Sequence, residues 1–262
     1  MALDRQLILH HSFAVLNELG LEGLTLRRLA ARLNVQAPAL YWHFRSKQEL
    51  LDEMATEVLR ESMRKSAELA SLPTWQEWAK ATHESLRETL LRYRDGAKMF
   101  SGTYLTDAEL YAPMEANLRR LAAEGFTLRQ SVVGLAALYN YTIGFVIEEQ
   151  ATQLAPGDPN PQYDPAEREK RVNKELYPLA AAAGAEMFAH HENRFAEGLA
   201  IIVKGLEAIL KDPSPAPAPK GARTTLSKAV RTAGDSPKAP NAAGSRSIAG
   251  CARSSRRQRA FL

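Results

Sequence analysis

One cysteine, Cys251, is the only thiol in 262 residues, so no internal disulfide can form and the chain suits a reducing, cytoplasmic setting. Sustained period-two alternation of apolar and polar residues is missing, which argues against half-buried strands and leaves an all-α protein. The sequence has no P-loop, no dinucleotide-binding glycine fingerprint and no nucleophile elbow. A zinc-hydrolase helix is absent too, because the position four residues after His83 is Arg87. These absences point away from an enzyme. The histidine pairs His10-His11 and His190-His191 are adjacent, so the members of each pair point to different helix faces and suggest no protein-only metal site. No signal peptide is expected at the start, because Asp4, Arg5, His10, His11 and Glu18 interrupt Met1 to Gly20.

Long hydrophobic runs are scarce as well. Gln130 to Ile147 is uncharged over 18 residues, which touches the length of a membrane span. It carries Gln130, Ser131, Asn140 and Thr142, so a helix buried between neighbours or between subunits accounts for it and no membrane association is expected.

What the chain does have is helical punctuation and unevenly placed charge. Beyond Lys211 lie ten Lys/Arg and two Asp, a charge of +8, which leaves −4 for residues 1–211 out of the net +4. The tail 212–262 is rich in Pro, Ala, Ser and Gly with almost no large apolar groups, so it cannot bury enough area to offset its ordering entropy and is expected to be disordered. Its cations can add nonspecific affinity for a polyanion. Helices are expected over 7–19, where Gly20 stops the pattern, and over 48–65 and 75–92, the latter capped by Thr74. Others are expected over 96–101, 107–124, 128–153, 165–183 and 187–211. Residues 155–165, with four prolines and a glycine, read as a loop. Trp75, Trp78, Phe145 and Phe188 read as core.

The most informative stretch runs from Leu24 to Leu51. Thr25 can cap a helix whose apolar residues Leu26, Leu29, Ala30 and Leu33 recur at helical spacing. Asn34 can take the left-handed conformation that ends it. Pro38 suits the first turn of a second helix, Pro38 to Phe44, because its missing N–H has no intrahelical partner there. Arg27, Arg28, Arg32, Arg45 and Lys47 give Leu24 to Lys47 five cations and no anion. Two short helices across a tight turn with a local positive excess make a helix-turn-helix, one helix crossing the phosphates while the next enters the major groove.

With Pro38 to Phe44 reading Pro-Ala-Leu-Tyr-Trp-His-Phe, followed by Lys47 and the Leu50-Leu51-Asp52 start of a longer helix, the segment resembles the DNA-binding domain of the TetR family. The resemblance extends over about residues 4–211. It takes in Arg94 to Lys98, Gly102-Thr103, Glu124 to Phe126, Thr142 to Gly144, Glu148 to Gln150 and Gly198 to Leu210, which look like the ligand-binding core of that family. It implies a DNA surface formed by Thr25, Arg27, Ala37, Pro38, Ala39, Tyr41, Trp42, His43 and Lys47. In it Arg27 reads a guanine through O6 and N7, Tyr41 packs on a thymine methyl or the backbone, and Trp42, His43 and Lys47 bind phosphates. Tetracycline-responsive members carry a glutamine and a threonine where this chain has Ala37 and Ala39. An alanine cannot make a bidentate adenine contact, so a different operator is expected at that step.

The resemblance also implies a ligand pocket formed by Met63, Thr82, Leu86, Phe100, Thr103, Asn117 and Glu148. Tetracycline-responsive members take their ligand as a magnesium chelate and supply a histidine to the metal, but the matching position here is Phe100. Met63, Thr82 and Leu86 likewise replace a histidine, an asparagine and a phenylalanine, while Thr103 and Glu148 persist and Asn117 stands for a glutamine. The expected inducer is therefore a drug-like polycyclic molecule that needs no metal or other cofactor, with Mg²⁺ disfavoured.

Together these readings predict an all-α homodimer in three parts. Residues 1–47 form a three-helix helix-turn-helix domain, residues 48–211 a ligand-binding and dimerisation domain, and residues 212–262 the tail. A single short recognition helix reads too few base pairs, so two-fold symmetry and a palindromic operator are expected. By resemblance, the helices near 128–153 and 187–211 pair with their symmetry mates. Ligand would shift the segment Arg94 to Thr106, push the 48–65 helix and change the spacing of the recognition helices, relieving repression. The alternatives are an architectural DNA binder or an activator without a small ligand.

Overall fold

The computed structural model describes residues 3–104 and 107–211, so the basic tail and Cys251 lie outside the described residues. The first helix begins at Arg5. Asp4 caps α1 (Arg5–Gly23) by accepting from the Leu7 N–H at 2.8 Å. Gly20 has φ +71° inside α1, so the regular helix breaks there and one further turn follows to Gly23. A Cβ at Gly20 would sit 2.9 Å from the Asp95 carboxylate, so glycine serves both the left-handed conformation and the close approach.

Thr25 caps α2 (Leu26–Arg32), and Asn34 stands left-handed at φ +54°, as expected. The recognition helix α3 is Ala37–Tyr41, with Pro38 in its first turn. It ends three residues short of the expected Phe44 because the chain must turn: the His43 and Phe44 amides both donate back to the Leu40 carbonyl, and Phe44 drops into the core. The long α4 (Lys47–Leu69) follows, then α5 (Trp75–Leu91) with Thr74 at its cap, and the short α6 (Gly96–Phe100).

A 3-10 turn (Ala108–Leu110) leads into α7 (Tyr111–Ala123), and Thr127 and Gln130 form a reciprocal capping box for α8 (Leu128–Ala151). The proline-rich loop is not featureless. Gln153–Ala155 (β1) and Asp158–Pro159 (β2) pair antiparallel, and Pro161–Tyr163 forms another 3-10 turn. The single helix expected over 165–183 is two, α9 (Pro165–Arg171) and α10 (Pro178–Phe188). Asn173 breaks it by accepting from the Glu175 and Leu176 amides, and Pro178 disfavours helix in the residue before it. Finally α11 (His191–Lys211) packs against α5 and α8.

Two apolar clusters organise these helices. One runs from Ile8, Leu16, Leu29, Leu40 and Phe44 through Leu50, Met54 and Val58 of α4 to Leu90, Phe100 and Val146. The helix-turn-helix and the helices beyond it therefore share one core, joined through α4. The second holds Trp75, Trp78, Leu138, Phe195 and Leu199. Here α8 and α11 approach closely: the Tyr141 hydroxyl bonds the Phe195 carbonyl at 3.1 Å, and a Cβ at Gly198 would lie 2.0 Å from that hydroxyl. By length and composition α8 is apolar enough to cross a membrane, but here it packs among α5, α6, α7 and α11.

Candidate DNA interface and ligand cavity

The basic residues of the helix-turn-helix divide by what they touch. Arg28 donates to the Gly23 carbonyl at 3.0 Å and Lys47 to the Leu21 carbonyl at 2.8 Å, while Arg32 pairs with Glu18 at 2.7 Å. These three cations tie α2 and α4 to the end of α1. Arg27 is exposed, and its side chain has no ion-pair or hydrogen-bond partner among the described residues. Thr25 is committed to its cap, its hydroxyl accepting from the Arg28 amide at 3.2 Å. Ala37 and Ala39 are half-buried and Pro38 is exposed. Tyr41 is 53% and Trp42 90% exposed, far more than a core role for either ring would allow. Arg5 fixes this end of α3: it donates to the His43 carbonyl at 2.6 Å and its guanidinium lies 4.3 Å over the Phe44 ring. Arg27, Tyr41, Trp42 and a half-buried His43 thus stand on a small domain braced from behind, a form suited to a polyanion with readable edges.

The second feature is a cavity of about 410 Å³ between α4, α5, α7 and α8. Of the residues expected to form a ligand site, Met63, Thr82, Leu86 and Asn117 line it. Phe100 and Thr103 lie elsewhere: Phe100 is buried in the first core with its ring 6.3 Å from that of Tyr139, and the Thr103 hydroxyl donates to the Phe100 carbonyl at 2.7 Å. Glu148 is exposed and lines a separate hollow of about 250 Å³ with Tyr141, Phe145, His191 and Arg194. Helical geometry separates them: the nine residues from Tyr139, which lines the cavity, to Glu148 turn α8 by half a circle.

Trp78, Tyr139 and His83 also line the cavity, and none of these was singled out from the sequence as a ligand contact. Trp78 belongs to the second core and also walls the cavity. Burial pushes the Tyr139 hydroxyl up to about 12, so it stays protonated. His83 is buried, and its Nδ1 lies 2.8 Å from the Ala79 carbonyl. Burial holds its imidazole below the usual range, against the opposing pull of that bond. A helix-periodicity reading counts His83 as a polar residue on α5 and cannot show which space it faces. Among the described residues the cavity lining contains no Asp, Glu, Lys or Arg, so any ligand there sits in neutral, mostly apolar surroundings. Among the described residues no three His, Cys, Asp or Glu gather as a metal centre would require.

Cavity and DNA surface are joined by structure. The N-terminal half of α4 lies in the core of the helix-turn-helix, and its C-terminal half supplies Leu59, Ser62, Met63 and Ser66 to the cavity wall. The turn between α5 and α6 is bonded directly to α1. The Arg94 amide donates to Asn17 Oδ1 at 3.0 Å, its guanidinium to the Glu18 carbonyl at 3.0 Å, and the Leu21 amide to Asp95 at 2.9 Å. Gln150 of α8 holds the same turn from the other side, accepting from the Ala97 amide and donating to the Leu90 and Tyr93 carbonyls. Asp52 of α4 accepts from the Tyr104 amide at 3.0 Å just beyond α6. Beneath lies a bidentate pair, Arg87 to Glu149 at 2.8 and 2.6 Å, with both side chains nearly buried.

A family model for the DNA-binding region of tetR-family bacterial regulatory proteins matches residues 8–54, and one for the tetracyclin repressor-like C-terminal domain matches residues 70–210. The chain is 40% identical over 201 residues to a class A tetracycline repressor of Escherichia coli, covering 76% of this chain and 88% of that protein. Among solved structures it is similar to a possible TetR family transcriptional regulator of Streptomyces coelicolor A3(2), at 33% identity and a TM-score of 0.69, covering 79% of this chain and all of the other. It is also similar to a variant of TetR from Acinetobacter baumannii AYE in complex with minocycline, at 31% identity and a TM-score of 0.60, covering 79% and 98%.

Proposed function

The chain belongs to the TetR family of bacterial regulators and is a ligand-responsive DNA-binding repressor; we propose that it is released from its operator by a flat, largely apolar polycyclic molecule that enters without Mg²⁺. The observation that carries this reading is the double membership of α4, which is core to the DNA reader at Leu50 and Met54 and cavity wall at Leu59 and Met63. A ligand that fits the cavity in one setting of α4 and not in another shifts the population between a DNA-binding and a released form, by as much as its affinity for the two settings differs. The Arg94 and Asp95 bonds to α1 offer a second route for the same movement.

The donor set does not suit a hydrated magnesium chelate. Mg²⁺ prefers oxygen donors and retains several waters. Among the described residues no carboxylate lines the cavity, Phe100 has no lone pair to offer, and Glu148 stands on another face of α8. In this reading Met63, Thr82, Leu86 and Asn117 contact the inducer, while Phe100 and Thr103 act on it only through the packing of α6. Glu148 meets the ligand only if the dimer brings it there.

The protein works as a cytoplasmic homodimer on a palindromic operator. Leu128, Val132 and Val133 of α8 and Ile201 and Ile209 of α11 are exposed apolar residues on the two helices that resemblance pairs across the two-fold axis. Arg27 reads a base, Tyr41 packs beside it, and Trp42 and His43 reach the backbone. Lys47, engaged with the Leu21 carbonyl, supports register from behind.

An operator-release titration tests the reading. Minocycline and phenanthrene are added to the protein–operator complex in Mg²⁺ and again in EDTA. Release by phenanthrene at equal potency in both is expected. Release by minocycline alone, lost on chelation, overturns the metal-free reading.

A further inference from the structure

Within the cavity one polar atom has its role fixed by chemistry. The Ala79 carbonyl can only accept, so His83 Nδ1, 2.8 Å away, must carry the proton. In the neutral ring that leaves Nε2 with a lone pair and no proton. His83 is 7% exposed and lines the cavity, and Nε2 has no partner among the described residues. With no carboxylate in the lining among the described residues, no anion there stabilises an imidazolium. Thr82, next along α5, has a buried hydroxyl oxygen that is also unpartnered. A ligand that covers Nε2 without donating to it leaves a polar atom buried and unpaired, which costs more than a hydrogen bond returns, so a ligand that donates is favoured over one that does not.

Resting on the cavity being the ligand site, we infer that His83 Nε2 is a specificity-determining acceptor and that the inducer carries a neutral hydroxyl donor, a phenol or enol, on its polycyclic frame. An alkylammonium donor fits less well, because it would bury a charge with no anion beside it. A carbonyl or ether facing Nε2 meets lone pair with lone pair. The site therefore separates a hydroxylated ring system from its O-methylated or unsubstituted counterpart, a difference of one hydrogen-bond donor at a single position.

The test uses the full-length protein and three probes that share one frame: 9-phenanthrol, 9-methoxyphenanthrene and phenanthrene, titrated by calorimetry. Water solvates the phenol best, so without an acceptor in the cavity the phenol would bind most weakly. The expected result is the reverse, with 9-phenanthrol bound about tenfold more tightly than either counterpart. His83→Phe keeps the ring shape and removes the acceptor, and the preference should vanish. His83→Gln offers an amide oxygen near the same place and should restore part of it. The comparison within the unaltered protein holds even if a variant fails to fold. Three probes bound without preference for the phenol, or a preference that survives His83→Phe, would overturn the inference and leave the apolar ligand cavity standing. Failure of all three to bind would remove the ligand-cavity reading and the inference with it.

Discussion

Asp95, left-handed at φ +54° in the turn before α6, accepts a hydrogen bond from the backbone amide of Leu21 at 2.9 Å, just past the break in α1. The bond joins the segment that borders the cavity-lining helices to the helix that packs behind the helix-turn-helix, across 74 positions of sequence.

If that bond transmits the ligand's effect, Asp95→Ala uncouples the two ends. Ligand affinity should change by less than about threefold, while the shift in operator affinity at saturating ligand should shrink by on the order of 1 kcal/mol or more. Operator titrations with and without saturating ligand measure the difference. An unchanged shift would leave Asp95 as a packing residue only.

Arg27 is exposed at the start of α2, and its side chain has no partner among the described residues. Arg27→Ala should weaken specific operator binding by roughly 1–3 kcal/mol and relax choice at one base pair. Equal losses on operator and random DNA would show a phosphate contact instead.

Arg87 and Glu149 form a bidentate pair with side chains 12% and 8% exposed. Removing one partner strands a buried charge, so Arg87→Met should cost about 3–5 kcal/mol in urea unfolding. The double change Arg87→Met with Glu149→Leu should recover most of that loss, since apolar replacement of both partners leaves nothing unpaired. A double variant no more stable than the single would show that the pair also organises its surroundings.

Burial lowers the His83 pKa from its ordinary 6.5. Unfolding restores the ordinary value, so below about pH 6.5 the unfolded chain binds the proton that the folded one refuses. Stability should therefore fall as pH drops from about 6.5 toward the folded value, and hold above it. His191, lowered in the same direction by partial burial, adds to the same window. Melting temperatures at pH 7.5 and 5.5 should differ less in His83→Phe than in the parent chain. An unchanged difference would assign the whole effect to His191 or to other groups.

The helix-turn-helix was open to a reader of the sequence because its signals are local. Thr25, Asn34 and Pro38 each act on backbone groups within a few residues, and all three do in the fold what their chemistry predicts. The break at 172–177 was equally local, in Asn173 and Pro178, but it is masked in a window by the helix formers on either side. Trp42 shows how little spacing decides: it is the C-cap residue of α3 and 90% exposed, while Leu40 and Phe44 on either side of it are fully buried.

What spacing along the chain could not decide is which helix faces share a space. Met63, Thr82, Leu86 and Asn117 come from α4, α5 and α7 and meet only because those helices pack side by side, while Glu148 is turned half a circle from the α8 residue that joins them. His83 shows the division most sharply. Its identity and its bond to the carbonyl one turn back follow from the sequence and from helix geometry. That its other nitrogen opens on an apolar cavity, and so can discriminate among ligands, depends on the angles at which four helices cross. Those angles come from the summed packing of many side chains, so no local signal carries them.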